Sequence, residues 1–81
     1  MSNREKRIRS AIRKDGRYLS SETGQLWIVR ETGRQGNADQ RFVIKHQHPK
    51  RNLHIQCYAA TRESAVKKII KHEEWTLEHR R

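Results

Sequence analysis

The sequence predicts a small α+β domain: an antiparallel sheet of three or four strands with a C-terminal helix packed on one face and a basic N-terminal helix before it. Apolar residues alternate along two segments separated by a turn that contains Pro49. In the segment that follows, they recur at intervals of three and four residues, the period of a helix. The chain has 81 residues, of which 32% are hydrophobic, so we expect one domain with a thin core.

Residues 1–16 form a basic segment, in which a helix is predicted over Asn3–Asp15 with Gly16 as its end. Ile8 and Ile12 lie on one narrow stripe of that helix. Lysines and arginines at helical spacing cover the remaining surface of this helix and repel one another. We therefore expect the helix to be partly ordered in the free protein and more ordered when the protein binds a polyanion. A merely solubilising tail is the alternative.

A sheet-plus-helix domain is expected over residues 17–75. Thr23-Gly24 is a turn signal, which predicts that Arg17–Ser21 pairs with a stronger strand over Gln25–Glu31. Residues 32–40 contain nothing apolar larger than alanine and predict a surface loop.

The strand over residues 25–31 is apolar on both faces. Leu26 and Ile28 share one face, and Trp27 and Val29 share the other. One of these faces must be core, and the pattern alone leaves the choice open.

Two further strands are predicted within residues 41–59. Pro49 has no N–H to continue a ladder, so His48–Asn52 forms a basic turn between them. Strict alternation assigns to the core face Phe42, Ile44, Leu53, Ile55, Cys57 and Ala59. It assigns to the opposite face Val43, Lys45, His54, Gln56 and Tyr58. That face is basic and aromatic, and we expect function there.

The C-terminal helix is predicted from a good N-cap, Thr61, and from the apolar stripe that follows it. Trp75 lies opposite that stripe if the helix continues past Glu74. Either the helix ends there and Trp75 folds back, or Trp75 is exposed. Residues 76–81 are expected to form a frayed tail.

Composition limits the function classes. The net charge is +10, with 19 Lys and Arg against 9 Asp and Glu, which predicts a negatively charged partner. A single cysteine excludes an internal disulfide framework and favours a reducing compartment. No apolar run suits a secretory or membrane segment, so we expect a cytoplasmic protein with no membrane contact.

Enzymatic and metal-binding functions find little support. His46 and His48 project to one face with His54 across the turn, yet neither CxxC nor HExxH is present and Cys57 has core parity. We therefore predict no catalytic residue, no metal and no cofactor. So short a chain also leaves little room for a substrate pocket of several hundred cubic ångströms.

Nucleic-acid binding is the function that accounts for the largest number of these residues, and we expect double-stranded DNA in preference to RNA. Cations neutralise phosphates, rings stack on bases, and polar side chains of a strand pair contact groove edges. The candidates are Arg7, Arg9, Arg13, Lys14, Trp27, Arg30, Arg41, Lys45, Lys50, Arg51, His54, Gln56 and Tyr58. The role expected is accessory or regulatory, as in phage and mobile-element proteins.

Three alternatives stay open. Trp27 and Tyr58 are aromatic strand residues that pack as half-buried side chains for reasons unrelated to ligands. The basic surface also suits a protein-interaction module or inhibitor that docks an acidic partner protein. A thin core further allows a homodimer.

Short motifs resemble a known family of DNA-binding domains. Arg13–Tyr18 (RKDGRY), a tryptophan-bearing strand, and Ala60–Ala65 (ATRESA) before a helix are similar to the AP2-like, arm-type domain of phage and transposon tyrosine recombinases. The resemblance covers about residues 13–74 and implies a sheet laid in the major groove. It places near the bases Trp27, Arg30, Lys45, His54 and Gln56. Without the family's catalytic domain, it implies a stand-alone binder.

The order helix, strands, helix is also similar to double-stranded-RNA-binding domains. Here Thr61–Val66 carries acidic and apolar residues where that family has a lysine-rich helix start. Just before this helix, where that family has glycines, the chain has Tyr58-Ala59-Ala60. Both differences favour DNA over RNA.

Overall fold

The structure, a computed structural model, describes residues 3–33 and 38–79; the central part of the predicted loop and the two ends of the chain lie outside this range. The elements are α1 (Asn3–Asp15), β1 (Arg17–Leu19), β2 (Leu26–Glu31), a 3-10 turn (Ala38–Gln40), β3 (Phe42–Gln47), β4 (His54–Ala59) and α2 (Arg62–Glu78). The strands form one antiparallel sheet in sequence order. The predicted α+β class is confirmed.

Both helices pack on the same face of the sheet. The core between them and the sheet includes Ile8 and Ile12 of α1, Ile69 of α2 and Trp27 and Ile44 of the sheet. Burying these side chains is the main stabilisation available to so small a chain. The opposite face, which we call the outer face, is covered by neither helix.

Helix α1 has the predicted bounds and belongs to the core. Ile8 and Ile12 are 0% and 1% exposed, so the alternative of a merely solubilising tail is wrong. Arg4 and Arg7 both donate to Glu22 in the β1–β2 turn, at 3.2 Å. These ion pairs and the buried isoleucines hold the basic segment against the rest of the fold.

Helix α2 begins as predicted and ends later. The Thr61 hydroxyl oxygen accepts a hydrogen bond from the Ser64 N–H at 3.0 Å, which caps the first turn. The helix runs to Glu78, so the expectation of a tail from residue 76 is wrong for its first three residues. Trp75 is 56% exposed, the second of the two predicted outcomes. Within the described residues, neither helix combines the length and apolar character needed to cross a bilayer.

A β-bulge changes the faces of β4. Ile44 pairs with Cys57, but Lys45 pairs with Ile55, so Gln56 is an extra residue in the ladder. Each residue before the bulge therefore lies on the face opposite to the one that strict alternation predicts. Leu53 and Ile55, assigned to the core, are 41% and 53% exposed. That assignment is wrong.

The two turns at one end of the sheet pack against each other. Gly24, in the β1–β2 turn, has a φ of +74°, and a Cβ added there would lie 2.9 Å from Pro49 Cγ. Glycine is required at this point for its backbone conformation and for the close approach. The contact fixes the basic β3–β4 turn beside the β1–β2 turn.

Candidate functional site

The outer face is built from three cross-strand rows. One row runs across all four strands as Arg17, Ile28, Lys45 and Ile55. Neighbouring strands in a sheet lie about 4.8 Å apart, so these side chains stand side by side. The rows on either side are Arg30–Val43–Tyr58 and Leu19–Leu26–Gln47. The result is a sheet face on which apolar side chains alternate with three cations and one phenol.

No acidic residue lies on this face of the strands, all four of which the structure describes. The chain has nine Asp and Glu residues. Glu31, the one acid within a strand, pairs with Phe42 on the helix-covered face. The positive charge of Arg17, Arg30 and Lys45 is therefore not neutralised within the sheet face, and it attracts anions.

Three of the predicted nucleic-acid contacts come together here, namely Arg30, Lys45 and Tyr58. Sequence reasoning missed Arg17 and Ile28 as members of the same surface. The register with β2 could have indicated both, once Trp27 and Val29 were assigned to the core face. Val43 in the middle of this surface is 9% exposed because longer neighbours surround it.

Trp27, His54 and Gln56 do not lie on the outer face. Trp27 is 1% exposed in the core, so the expectation that it stacks on bases is wrong. His54 pairs with His46 on the helix-covered face because the bulge reverses its side. His54 and Gln56 contact each other at 3.4 Å and are exposed at the β4 edge, apart from Arg30 and Lys45.

The candidate cations of α1 form a separate surface. Arg13 and Lys14 are exposed on the helix, and with Lys6 and Arg9 they border a shallow basic groove. Helical geometry places this groove opposite the Ile8–Ile12 stripe, so it faces away from the sheet. Arg9 also pairs with Glu63 of α2 at 2.6 Å, and Arg7 pairs with Glu22. The hydrogen bond from Arg9 lowers the pKa of Glu63.

The remaining candidates lie at the two ends of the sheet. Arg41 is exposed just before β3, where its carbonyl oxygen accepts a hydrogen bond from the Thr32 N–H at 2.9 Å. Lys50 and Arg51 are exposed in the β3–β4 turn, at the other end. Lys50 has a φ of +64°, a conformation uncommon outside glycine. These cations extend beyond the outer face along the strands and do not belong to its rows.

A histidine cluster lies under α2. His46 is 0% exposed and stacks on Trp27, with ring centroids 3.9 Å apart and an interplanar angle of 9°. Its ring centroid is 4.3 Å from that of His48, 5.5 Å from that of His54 and 5.0 Å from that of His72. Four histidines at this spacing cannot all carry a proton without strong mutual repulsion.

His46 belongs to a buried hydrogen-bond network. The Gln25 side-chain oxygen accepts from His46 Nε2, and Gln25 Nε2 donates to Thr76 Oγ1 at 3.1 Å. His46 Nδ1 is then the unprotonated nitrogen, and it has no hydrogen-bond partner among residues 3–33 and 38–79. Burial, with repulsion from His48, His72 and His54, lowers the pKa of His46 to about 4. Burial also lowers the pKa of His72.

Among residues 3–33 and 38–79, no group of three or more His, Cys, Asp and Glu side chains is arranged to hold a metal ion. The histidine rings contact one another through their faces and edges, as packed aromatic side chains do. Only His46 of this cluster is fully buried, whereas His54 is exposed at the β4 edge.

The expectation that the chain has little room for a pocket is wrong. A cavity of about 360 Å³ opens between α2 and the β4 edge. Trp27, Ile44 and Cys57 line it from the sheet, and Lys71 and Trp75 line it from the helix. Because the bulge turns Ile55 to the outer face, Gln56 and Cys57 are the β4 residues that line this cavity.

Fold and site define a small basic α+β protein with an uncovered cationic sheet face on one side and a lined cavity on the other. Comparison with protein-family models, with curated proteins and with solved structures finds no match to this chain. The recombinase and RNA-binding resemblances therefore stay predictions, and function is argued from the two surfaces themselves.

Proposed function

We propose that this protein binds nucleic acid, double-stranded DNA in preference to RNA, through the outer face of its sheet. The observation that carries the proposal is the placement of Arg17, Arg30 and Lys45 around an uncovered sheet face with no acid among its strand positions. A polyanion in contact with that face gains three charge-assisted contacts and meets no like charge. An accessory or regulatory role in the cytoplasm is part of the same proposal.

The residue types of this face suit contacts both with the phosphate backbone of DNA and with the base edges in its grooves. Arginine and lysine bind phosphates, and arginine also binds guanine edges in the major groove. Gln47 is a hydrogen-bonding candidate for adenine, and Ile28 and Ile55 are suited to thymine methyl groups. Tyr58 and Gln47 lie on opposite sides of the central row, which contains Lys45. RNA duplexes have a major groove too narrow for such a surface, which favours DNA.

The fold allows only one of the two basic surfaces to contact a given duplex segment. The outer face and the α1 groove lie on opposite sides of the molecule, with the sheet and the helix layer between them. A rigid duplex that contacts Lys45 cannot also reach Arg13 and Lys14. The proposal selects the outer face, because two of the cations at the α1 end, Arg7 and Arg9, are already engaged by carboxylates.

Fluorescence anisotropy with a labelled random-sequence duplex over a series of salt concentrations tests this choice. The variant Arg30→Gln/Lys45→Gln is compared with Arg13→Gln/Lys14→Gln, which removes the same charge from exposed residues of α1. Each lost phosphate contact lowers the log–log salt slope by about 0.9. We expect the outer-face variant to lose about two units of slope and the α1 variant to keep the wild-type slope.

The opposite pattern, a loss confined to the α1 variant, would refute the outer-face proposal and move the interface to the helix. Lys50→Ala/Arg51→Ala provides a third comparison. A fall of about one to two units in that variant would extend the interface to the β3–β4 turn.

A second candidate function is docking of an acidic partner protein on the same face. It is favoured by the exposure of Leu19 and Ile55, at 67% and 53%, because exposed large apolar residues are more typical of protein interfaces. Absence of duplex binding at low salt would favour this candidate. A salt slope of several units in DNA binding would favour the first.

A further inference from the structure

The cavity between α2 and β4 has the size and lining of a small-molecule site. Its volume, about 360 Å³, falls in the usual range for ligand pockets. Trp27, Ile44 and Cys57 form an apolar wall on the sheet side, and Trp75 forms a second aromatic wall on α2. A planar aromatic ring system in the cavity would contact carbon atoms of both walls.

One wall of the cavity contains an unpaired hydrogen-bond donor. Trp27 is 1% exposed, and its Nε1–H has no acceptor on the described residues. Native proteins seldom retain a buried donor without a partner, because its desolvation is not compensated. The indole N–H signal therefore reports on this wall, because an aromatic ring bound in the cavity would shift it.

The polar residues around the cavity are cationic or neutral. Lys68, Lys71 and His72 line it from α2, and no carboxylate lines it. Lys68 Nζ donates one hydrogen bond to the Tyr58 carbonyl oxygen at 2.6 Å, which holds the ammonium group at the mouth with two N–H groups left over. An anion at this position meets two ammonium groups and no like charge.

We propose that this cavity binds a small aromatic carboxylate, with its ring between the Trp27 and Trp75 sides and its carboxylate at Lys68 and Lys71. The site is independent of the nucleic-acid proposal, since it lies on the helix-covered side of the sheet. Cys57, at the cavity wall, provides a chemical readout, because a ligand over it shields the thiol. Burial raises the pKa of that thiol, so its alkylation is slow and easily followed.

The test uses naphthoate as the probe and naphthamide as its uncharged counterpart. Amide and indole N–H signals of the full chain are followed by NMR during titration, and Cys57 alkylation by iodoacetamide is followed by mass spectrometry. We expect naphthoate to shift the Trp27 indole N–H signal and to slow alkylation. Naphthamide should bind at least tenfold more weakly, as loss of a charge-assisted contact implies.

Two variants on α2 form a matched pair. Lys71→Gln removes a cavity cation and should weaken naphthoate binding about tenfold. Lys67→Gln removes an exposed cation that does not line the cavity and should leave binding unchanged. Cys57→Met narrows the cavity at its sheet wall and should weaken naphthoate binding, with a dispersed amide spectrum showing that the fold is intact.

Three results would overturn the proposal. The first is no shift of the Trp27 indole signal at millimolar naphthoate. The second is equal affinity for naphthoate and naphthamide. The third is an equal effect of the Lys67 and Lys71 substitutions.

Discussion

Replacing His46 by glutamine should make the protein much less sensitive to mild acid. His46 is buried against Trp27, and burial disfavours its charged form, while its neutral form still donates to Gln25. A second proton on Nδ1 would place a charge in the protein interior beside three other histidines. Glutamine keeps a donor for Gln25 and does not titrate.

The magnitude follows from the pKa of His46, which is about 4 in the folded protein against about 6.5 in an unfolded chain. Between these values the unfolded chain binds more protons on this residue, so the free energy of unfolding falls as the pH falls. The contribution is complete above about pH 6.5 and is lost below about pH 4. From pH 7.5 to pH 5.0 it decreases by about 2 kcal/mol.

Denaturant unfolding at these two pH values measures the effect. Wild type should lose about 2 kcal/mol more than His46→Gln over this interval. His79→Gln is the matched control, because His79 is exposed at the end of α2 and outside the cluster. That variant should lose as much as wild type. A His46→Gln protein that loses stability as steeply as wild type would refute the argument that His46 is buried in its neutral form.

The remaining predictions concern the fold. Ile12→Ala should lower the free energy of unfolding by about 2–5 kcal/mol, because it leaves a cavity beneath α1. Arg13→Ala, at an exposed position of the same helix, should change the free energy of unfolding by less than about 0.5 kcal/mol. If both substitutions had equally small effects, α1 would not be part of the core. Gly24→Ala should destabilise more than Gly33→Ala, since both have positive φ but only Gly24 would place its Cβ against Pro49. Equal losses in thermal unfolding would contradict the packing of the two turns.

Several elements could be predicted from the sequence because their signals are local. The α1 stripe, the Thr61 cap and the α2 stripe each depend on residues within one helix, and all three are confirmed. The turn at Thr23-Gly24 is likewise a local signal, and β1 and β2 pair across it. The class of the fold follows from these elements.

The faces of β4 could not be predicted, because its sequence hides the bulge. The segment LHIQCYA alternates without a break, so no residue marks Gln56 as the extra one. The error moved His54 and Gln56 to the outer face and Ile55 to the core. A bulge is a property of the pairing between two strands, and one strand's sequence does not contain it.

Two features of the site had signals that were available but weak. The alternation that assigned Phe42 and Ile44 to the core continues to His46, which indicated a buried histidine. Trp27 shares a face with Val29, and Ile28 shares one with Leu26, so the apolar pattern of β2 left two equivalent choices. Packing of both helices on one side decides between them, and that decision depends on the whole fold.

The most direct test of the central claim is an amide NMR titration of the full chain with a short DNA duplex. The account predicts chemical-shift changes for the amides of Ile28, Val43 and Lys45, on the middle strands of the outer face. The amide signals of α1 should not change. Shifts confined to α1, with β2 and β3 unchanged, would contradict it.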